Sequence, residues 1–81
     1  MSNIIYSKNS FKTLESLDKK TATRIFNAID DLPLGDIKRL QGNYRPKLFR
    51  LRVGKYRIIY SMEDENIIKI IKIDSRGDVY K

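Results

Sequence analysis

An α+β fold, in which an N-terminal strand and an antiparallel helical hairpin pack on a small, mainly antiparallel β-sheet, is predicted by three features of this 81-residue sequence. Apolar residues recur at helical spacing twice in the first half. From Leu48 the spacing changes to two, as in strands with one buried face. Gly54-Lys55 interrupts that alternation, and a glycine at the first central position suits a two-residue hairpin turn of type II′. Residues 1–81 are expected to form one domain. A chain this short buries only about 60% of its unfolded surface, so the core should be thin.

Asn3 to Ser7, a short apolar stretch ending in polar residues, is compatible with a first strand. Asn9 or Ser10 can cap the first helix, along which Phe11, Leu14 and Leu17 form a stripe. Thr21 can cap a second helix with Ala22, Ile25, Phe26, Ile29 and Leu32 on one side, stopped by Pro33 and Gly35. The join is so short that the two helices should run antiparallel. Both stripes are read as core, because apolar residues at helical spacing ordinarily face the interior. Asp36 to Lys47 is polar, with Gly42, Asn43 and Pro46, and reads as a loop or a ragged approach to a strand. Two strands follow around Gly54-Lys55, and Glu63 to Asn66 makes the next turn. Ile67, Ile68, Ile70, Ile71 and Ile73 are apolar on both parities, which predicts a central strand covered on both sides. The tail from Asp74 to Lys81 has no clear period.

Seventeen Lys and Arg against ten Asp and Glu give a net charge of +7, and the pI is about 9.8. Such a surplus favours a polyanion or an acidic protein as partner, or serves solubility alone. The charge is uneven. Lys38, Arg39, Arg45, Lys47, Arg50, Arg52, Lys55 and Arg57 occur with no acidic residue between the first and the last. Cysteine is absent, which excludes disulfides, thiolate zinc sites and a cysteine nucleophile, and fits a reducing compartment. Histidine is absent too, so any proton transfer must use other groups. The N-terminal apolar run is too short for a signal peptide or a membrane span, so the chain is expected to be cytoplasmic with no membrane partner, and without Cys or His ligands no metal or cofactor is expected.

A two-residue turn sets the register: Val53 faces Tyr56, Arg52 faces Arg57, Leu51 faces Ile58 and Arg50 faces Ile59. Phe49, Leu51, Val53, Tyr56, Ile58 and Tyr60 then share one face for the helices to cover. Arg50, Arg52 and Arg57 share the other. Like charges directly opposed across strands cost stability unless a negative group lies between them. Guanidinium groups match phosphate oxygens in geometry and stay charged, so this face is a candidate grip for a nucleic-acid backbone. A solvated outer face and a dock for an acidic protein remain open beside it.

The run Leu51-Arg52-Val53-Gly54-Lys55-Tyr56-Arg57-Ile58-Ile59-Tyr60, followed by an acidic turn, an isoleucine-rich strand and Arg76-Gly77-Asp78-Val79-Tyr80-Lys81, resembles the RelE/ParE toxin superfamily. The likeness spans nearly the whole chain, and the tail favours the RelE-like branch. It implies a ribosome-dependent endoribonuclease that cleaves messenger RNA by attack of a ribose 2′-hydroxyl, leaving a 2′,3′-cyclic phosphate and a 5′-hydroxyl. Matched by position, Arg50, Arg52, Arg57, Arg76 and Tyr80 would be the catalytic set. Lys38, Arg39, Arg45, Lys47, Lys55 and Lys81 are further candidates for RNA contact. An unperturbed phenol titrates near 10, so Tyr80 would act as a base only beside cations. Ser75 stands where many relatives have a histidine, and the extra C-terminal helix of some relatives has no counterpart before Lys81. Glu63, Asp64 and Glu65 are read as a solvated turn rather than a replacement base.

The resemblance implies partners as well: a cognate acidic, RelB-like antitoxin in a hetero-oligomer, the ribosome and messenger RNA. Two other functions stay open, a ParE-like poison of DNA gyrase and a catalytically degenerate toxin that binds only antitoxin or RNA.

Overall fold

The chain runs β1 (Asn3–Tyr6), α1 (Lys8–Ser16), α2 (Lys19–Asp30), β2 (Asp36–Arg39), β3 (Leu48–Val53), β4 (Tyr56–Asp64) and β5 (Ile67–Ser75). This computed structural model describes residues 3–42, 46–64 and 66–75, with Glu63 and Asp64 described in the backbone only. The strands form one sheet in the order β1-β5-β4-β3-β2. β1 lies parallel to β5 and the other pairings are antiparallel. α1 packs on β5 and α2 on β3. Leu14, Ile25 and Ile29 from the helices meet Leu51, Ile58 and Ile70 from the sheet in a single core.

The hairpin forms as its sequence demands. Gly54 has φ 59, and no described residue other than glycine has a positive φ, so Lys55 does not. That combination belongs to a type II′ turn, since type I′ would need positive φ at both positions. Pairing follows: Val53 with Tyr56, Arg52 with Arg57, Leu51 with Ile58 and Arg50 with Ile59. A Cβ there would lie 3.2 Å from the end of the Arg24 side chain, which can shift to admit it, so the positive φ rather than space is what favours glycine.

Several expectations are corrected. The first helix is capped by Ser7, whose Oγ accepts from the Ser10 N–H at 3.0 Å. The second is capped by Asp18, which accepts from the Thr21 N–H at 3.1 Å and the Thr21 hydroxyl at 2.6 Å. A capping oxygen serves an N–H two or three positions onward, so Asn9, Ser10 and Thr21 already lie in the first turns. Phe11 is not core but 49% exposed. Ser10 takes the inward place, fully buried, with its hydroxyl 3.0 Å from the Ser7 carbonyl and 3.2 Å from that of Ile70. Ser10 and Leu14, four apart, therefore define the buried stripe, and Phe11 is turned about 100° away. Within Asp36 to Lys47, residues 36–39 are a strand because β3 offers them an open edge, with Ile37 directed at the core. β4 continues through Asp64, where a turn was expected.

The doubled parity of the isoleucine run also has another cause. Ile59 pairs with Lys72 but Tyr60 with Ile70, so Ile71 is an extra residue in a bulge. The bulge changes the phase of β5, letting Ile68, Ile70 and Ile73 all point inward, each 3% exposed or less. Helices cover that face alone, and Ile71 is 39% exposed. Ser7 completes the arrangement. Its hydroxyl donates to the Ile71 carbonyl at 2.8 Å and its N–H to the Ile70 carbonyl at 2.9 Å, tying the start of α1 to the bulge.

Two tests follow from this packing. Ser7→Ala removes the helix cap and the donor to Ile71 together, and should cost about 1–2 kcal/mol in urea denaturation, with faster amide exchange in α1 and β5. Tyr6 packs edge-on against Phe26 at 5.5 Å, and its pKa is raised to about 12, first by burial and then by Asp30. The unfolded phenol ionises near 10, so the stability held below that pH is lost as pH rises from about 10 to 12. Tyr6→Phe should flatten the dependence of unfolding free energy on pH across that window.

Candidate functional site

Because β3 and β4 alternate, everything on the side of the sheet away from the helices is set by parity. Arg52 faces Arg57 across β3 and β4, Asp36 faces Arg52 across β2 and β3, and Asp74 faces Arg57 across β4 and β5. The result is a row of four charges across four strands: Asp36, Arg52, Arg57, Asp74. The adjacent row reads Lys38, Arg50, Ile59, Lys72. Neighbouring positions in a row are about 4.5–5.5 Å apart at Cβ, and diagonal ones about 7–8 Å. Three arginines and two lysines thus share a small area with two carboxylates.

The carboxylates engage the second row rather than the first. Asp36 Oδ1 lies 3.5 Å from Arg50 Nη2, and Asp74 Oδ2 lies 3.4 Å from Lys72 Nζ. Among the described residues no carboxylate is within ion-pair distance of Arg52 or Arg57. Arg50 is the most enclosed of the ion-paired groups, with a side chain only 13% exposed. The Nε atoms of Arg50 and Arg57 are both buried and without a hydrogen-bond partner among the described residues. Unpaired buried donors cost free energy, and these two lie at diagonal positions on the face that gathers the three arginines. Arginine supplies there what a crowded phosphate requires: fixed positive charge and several directed donors.

The other sequence candidates separate around this face. Lys38 joins it, exposed, beside Arg50. Arg39 has the opposite parity and pairs with Phe49, lining with Leu40, Gln41 and Gly42 a cavity of about 360 Å³ at the β2 end. Lys47 is exposed just before β3. Lys55 occupies the hairpin turn, its ammonium 5.7 Å from the Tyr56 ring centre, on the side of the inward-facing residues. Arg45, Arg76, Tyr80 and Lys81 lie outside the described residues. Asp64 ends β4, seven residues along the strand from Arg57 and so about 23 Å away, which separates the acidic turn from the arginines. Asp36, Lys72 and Asp74 were not singled out from sequence. Their place depends on β2 pairing and on the β5 bulge, and no local pattern marks either. Among the described residues no cluster of His, Cys, Asp or Glu could hold a metal ion, and no helix is long and apolar enough to cross a membrane.

A family model described as the ParE toxin of type II toxin-antitoxin system, parDE, matches residues 4–80. The chain belongs to the RelE/ParE toxin family. Within that family it is a RelE-like toxin of a type II toxin–antitoxin system. A protein of Methanocaldococcus jannaschii named "Putative toxin RelE1" is 32% identical over 87 residues, covering 98% of this chain and 94% of that protein. A chain of an archaeal RelE–RelB complex from Pyrococcus horikoshii OT3 superposes with a TM-score of 0.78 at 32% identity, over 94% of this chain and 96% of that one. A RelB–RelE complex from Methanococcus jannaschii gives 0.72 at 25% identity, over 94% of both chains.

Proposed function

We propose that this RelE-like toxin is a ribosome-dependent endoribonuclease, a single domain working in the cytoplasm and neutralised by an acidic, RelB-like antitoxin. The observation that carries the reading is the grouping of Arg50, Arg52 and Arg57 on the one sheet face that the helices leave open. In the proposed reaction a ribose 2′-oxygen attacks the adjacent phosphorus and the 5′-oxygen departs. Negative charge grows on the non-bridging oxygens, and preorganised guanidinium donors stabilise it more than they stabilise the starting phosphodiester. Arg76 and Tyr80 complete the proposed catalytic set. Lys38, cross-strand from Arg50, would extend the backbone contact, and Lys47 is a further proposed contact.

Dependence on the ribosome follows from the same face. Contacts to phosphate position a nucleic acid but carry little sequence information, so selection of the cleavage point needs an RNA already held in register. The bound messenger also arrives with much of its translational and rotational freedom removed. An antitoxin fits the charge: a toxin of +7 attracts an acidic segment, and relatives have been crystallised with RelB. A hetero-oligomer of toxin and antitoxin is the proposed resting state.

One observation favours a second reading. The matching family model is that of the ParE toxin, and a ParE-like poison of DNA gyrase would use the same fold without an RNA-cleaving centre. Induction separates the two: primer extension should show cuts within translated codons, and gyrase supercoiling should be unaffected. Supercoiling loss with intact messenger would favour the gyrase reading. Purified toxin should cut messenger on programmed ribosomes and leave naked messenger nearly intact, and equal rates in both would overturn the ribosome-dependent mechanism.

Arg57→Gln tests the site itself. Arg52 and Arg57 oppose each other with no carboxylate of the described residues within ion-pair distance of either, so the melting temperature should stay unchanged or rise slightly. Cleavage on the ribosome should fall about a hundredfold or more. Joint loss of melting temperature and activity would point to a structural role for Arg57, and near-normal cleavage to a solvated surface.

A further inference from the structure

The absence of histidine leaves the proposed reaction without an evident acceptor for the 2′-hydroxyl proton, and Asp74 occupies a position from which it can serve. It is the cross-strand partner of Arg57, and its side chain is 32% exposed against 59% for Asp36, the other carboxylate of the row. Asp36 is committed to the enclosed guanidinium of Arg50. Asp74 instead contacts Lys72, whose side chain is 58% exposed and can swing to an RNA phosphate. The spacing suits the chemistry. A 2′-oxygen poised for attack lies about 3–3.5 Å from phosphorus, so its proton acceptor and the donors gripping the phosphate must come from adjacent positions. Arg57 and Asp74, directly opposed on neighbouring strands, are such positions.

We infer that Asp74 is the general base that accepts the 2′-hydroxyl proton, a reading that rests on the ribonuclease activity proposed above. As the 2′-oxygen forms its bond to phosphorus, the proton passes to the Asp74 carboxylate. The bond from phosphorus to the 5′-oxygen breaks, that oxygen leaves as a 5′-hydroxyl with a proton from water, and the hydroxide left behind takes the proton from Asp74 and restores its carboxylate. No oxidant or further reactant enters. Arg57, Lys72 and, one strand further, Arg52 are the charged groups that face Asp74 among the described residues. Lys72 restrains the carboxylate, and Arg57 and Arg52 would hold the phosphate beside it. Lys72 gains a role by the same argument, because the proton transfer frees its ammonium to bind backbone phosphate.

The test is single-turnover cleavage on programmed ribosomes for the wild type, Asp74→Asn and Asp74→Glu across neutral to mildly alkaline pH. With its base removed, Asp74→Asn depends on bulk hydroxide. Its rate should be about a hundredfold lower at neutrality and rise about tenfold per pH unit, where the wild-type rate is nearly flat. Asp74→Glu should recover much of the rate and the flat profile. Cleavage by Asp74→Asn within about threefold of wild type would overturn the inference. So would a slow variant whose profile stays flat, since that is the behaviour expected if Asp74 only positions Arg57. Wild-type chain that fails to cleave at all would overturn the ribonuclease reading and this inference with it, whereas active wild type with an unimpaired Asp74→Asn removes the base alone.

Discussion

The register between β3 and β4 is the constraint on which the rest of the molecule depends. A two-residue turn through Gly54, with φ 59, leaves only one way for the flanking strands to pair. That single choice sends Leu51, Val53, Ile58 and Tyr60 under the helices and Arg50, Arg52 and Arg57 to the opposite side. A slip of one residue would bury arginines and expose the core. The apolar face therefore enforces the basic one, and the cost of crowding like charges is met by burial of aliphatic side chains behind them.

A second constraint lies where the sheet is irregular. The Ile71 bulge turns β5 in mid-strand, so that its last inward residue, Ile73, is three positions after Ile70 rather than two. Asp74 follows, opposite Arg57, and without the phase change it would meet a different neighbour. Ser7 holds this irregularity by taking the Ile71 carbonyl as acceptor while capping α1. One hydroxyl thus links the start of a helix, the shape of a strand and the composition of the charged face. Structure at the helix side is coupled in this way to chemistry on the opposite side of the sheet.

The charged face is more balanced than its arginines suggest. Asp36 and Asp74 bracket the Arg52–Arg57 pair, yet both carboxylates lean toward the second row, toward Arg50 and Lys72. The exposed Asp74–Lys72 pair contributes little to stability. The effect of both pairs is positional. They restrain the flanking cations while the central guanidinium groups keep donors free for an anion. An acidic partner and an RNA backbone would compete for these donors.

The amino-acid sequence by itself determined the order of most elements, the hairpin register, the two faces of β3 and β4, and the grouping of Arg50, Arg52 and Arg57. These are readable because each rests on short-range rules, a period of two and a turn that only glycine takes easily. The motif around Gly54 also carried the family likeness. Tertiary structure alone decided the rest. β2 forms because β3 presents an unpaired edge, and four residues with one inward isoleucine announce nothing by themselves. Ser7 becomes the cap because strand carbonyls 63 and 64 positions later are within its reach. Asp36 and Asp74 enter the face through pairings between segments distant in sequence, one of them across a bulge that no local propensity specifies. Local chemistry is written in neighbouring residues, whereas the partners of an edge strand and the placement of a bulge depend on which distant backbone groups remain to be satisfied.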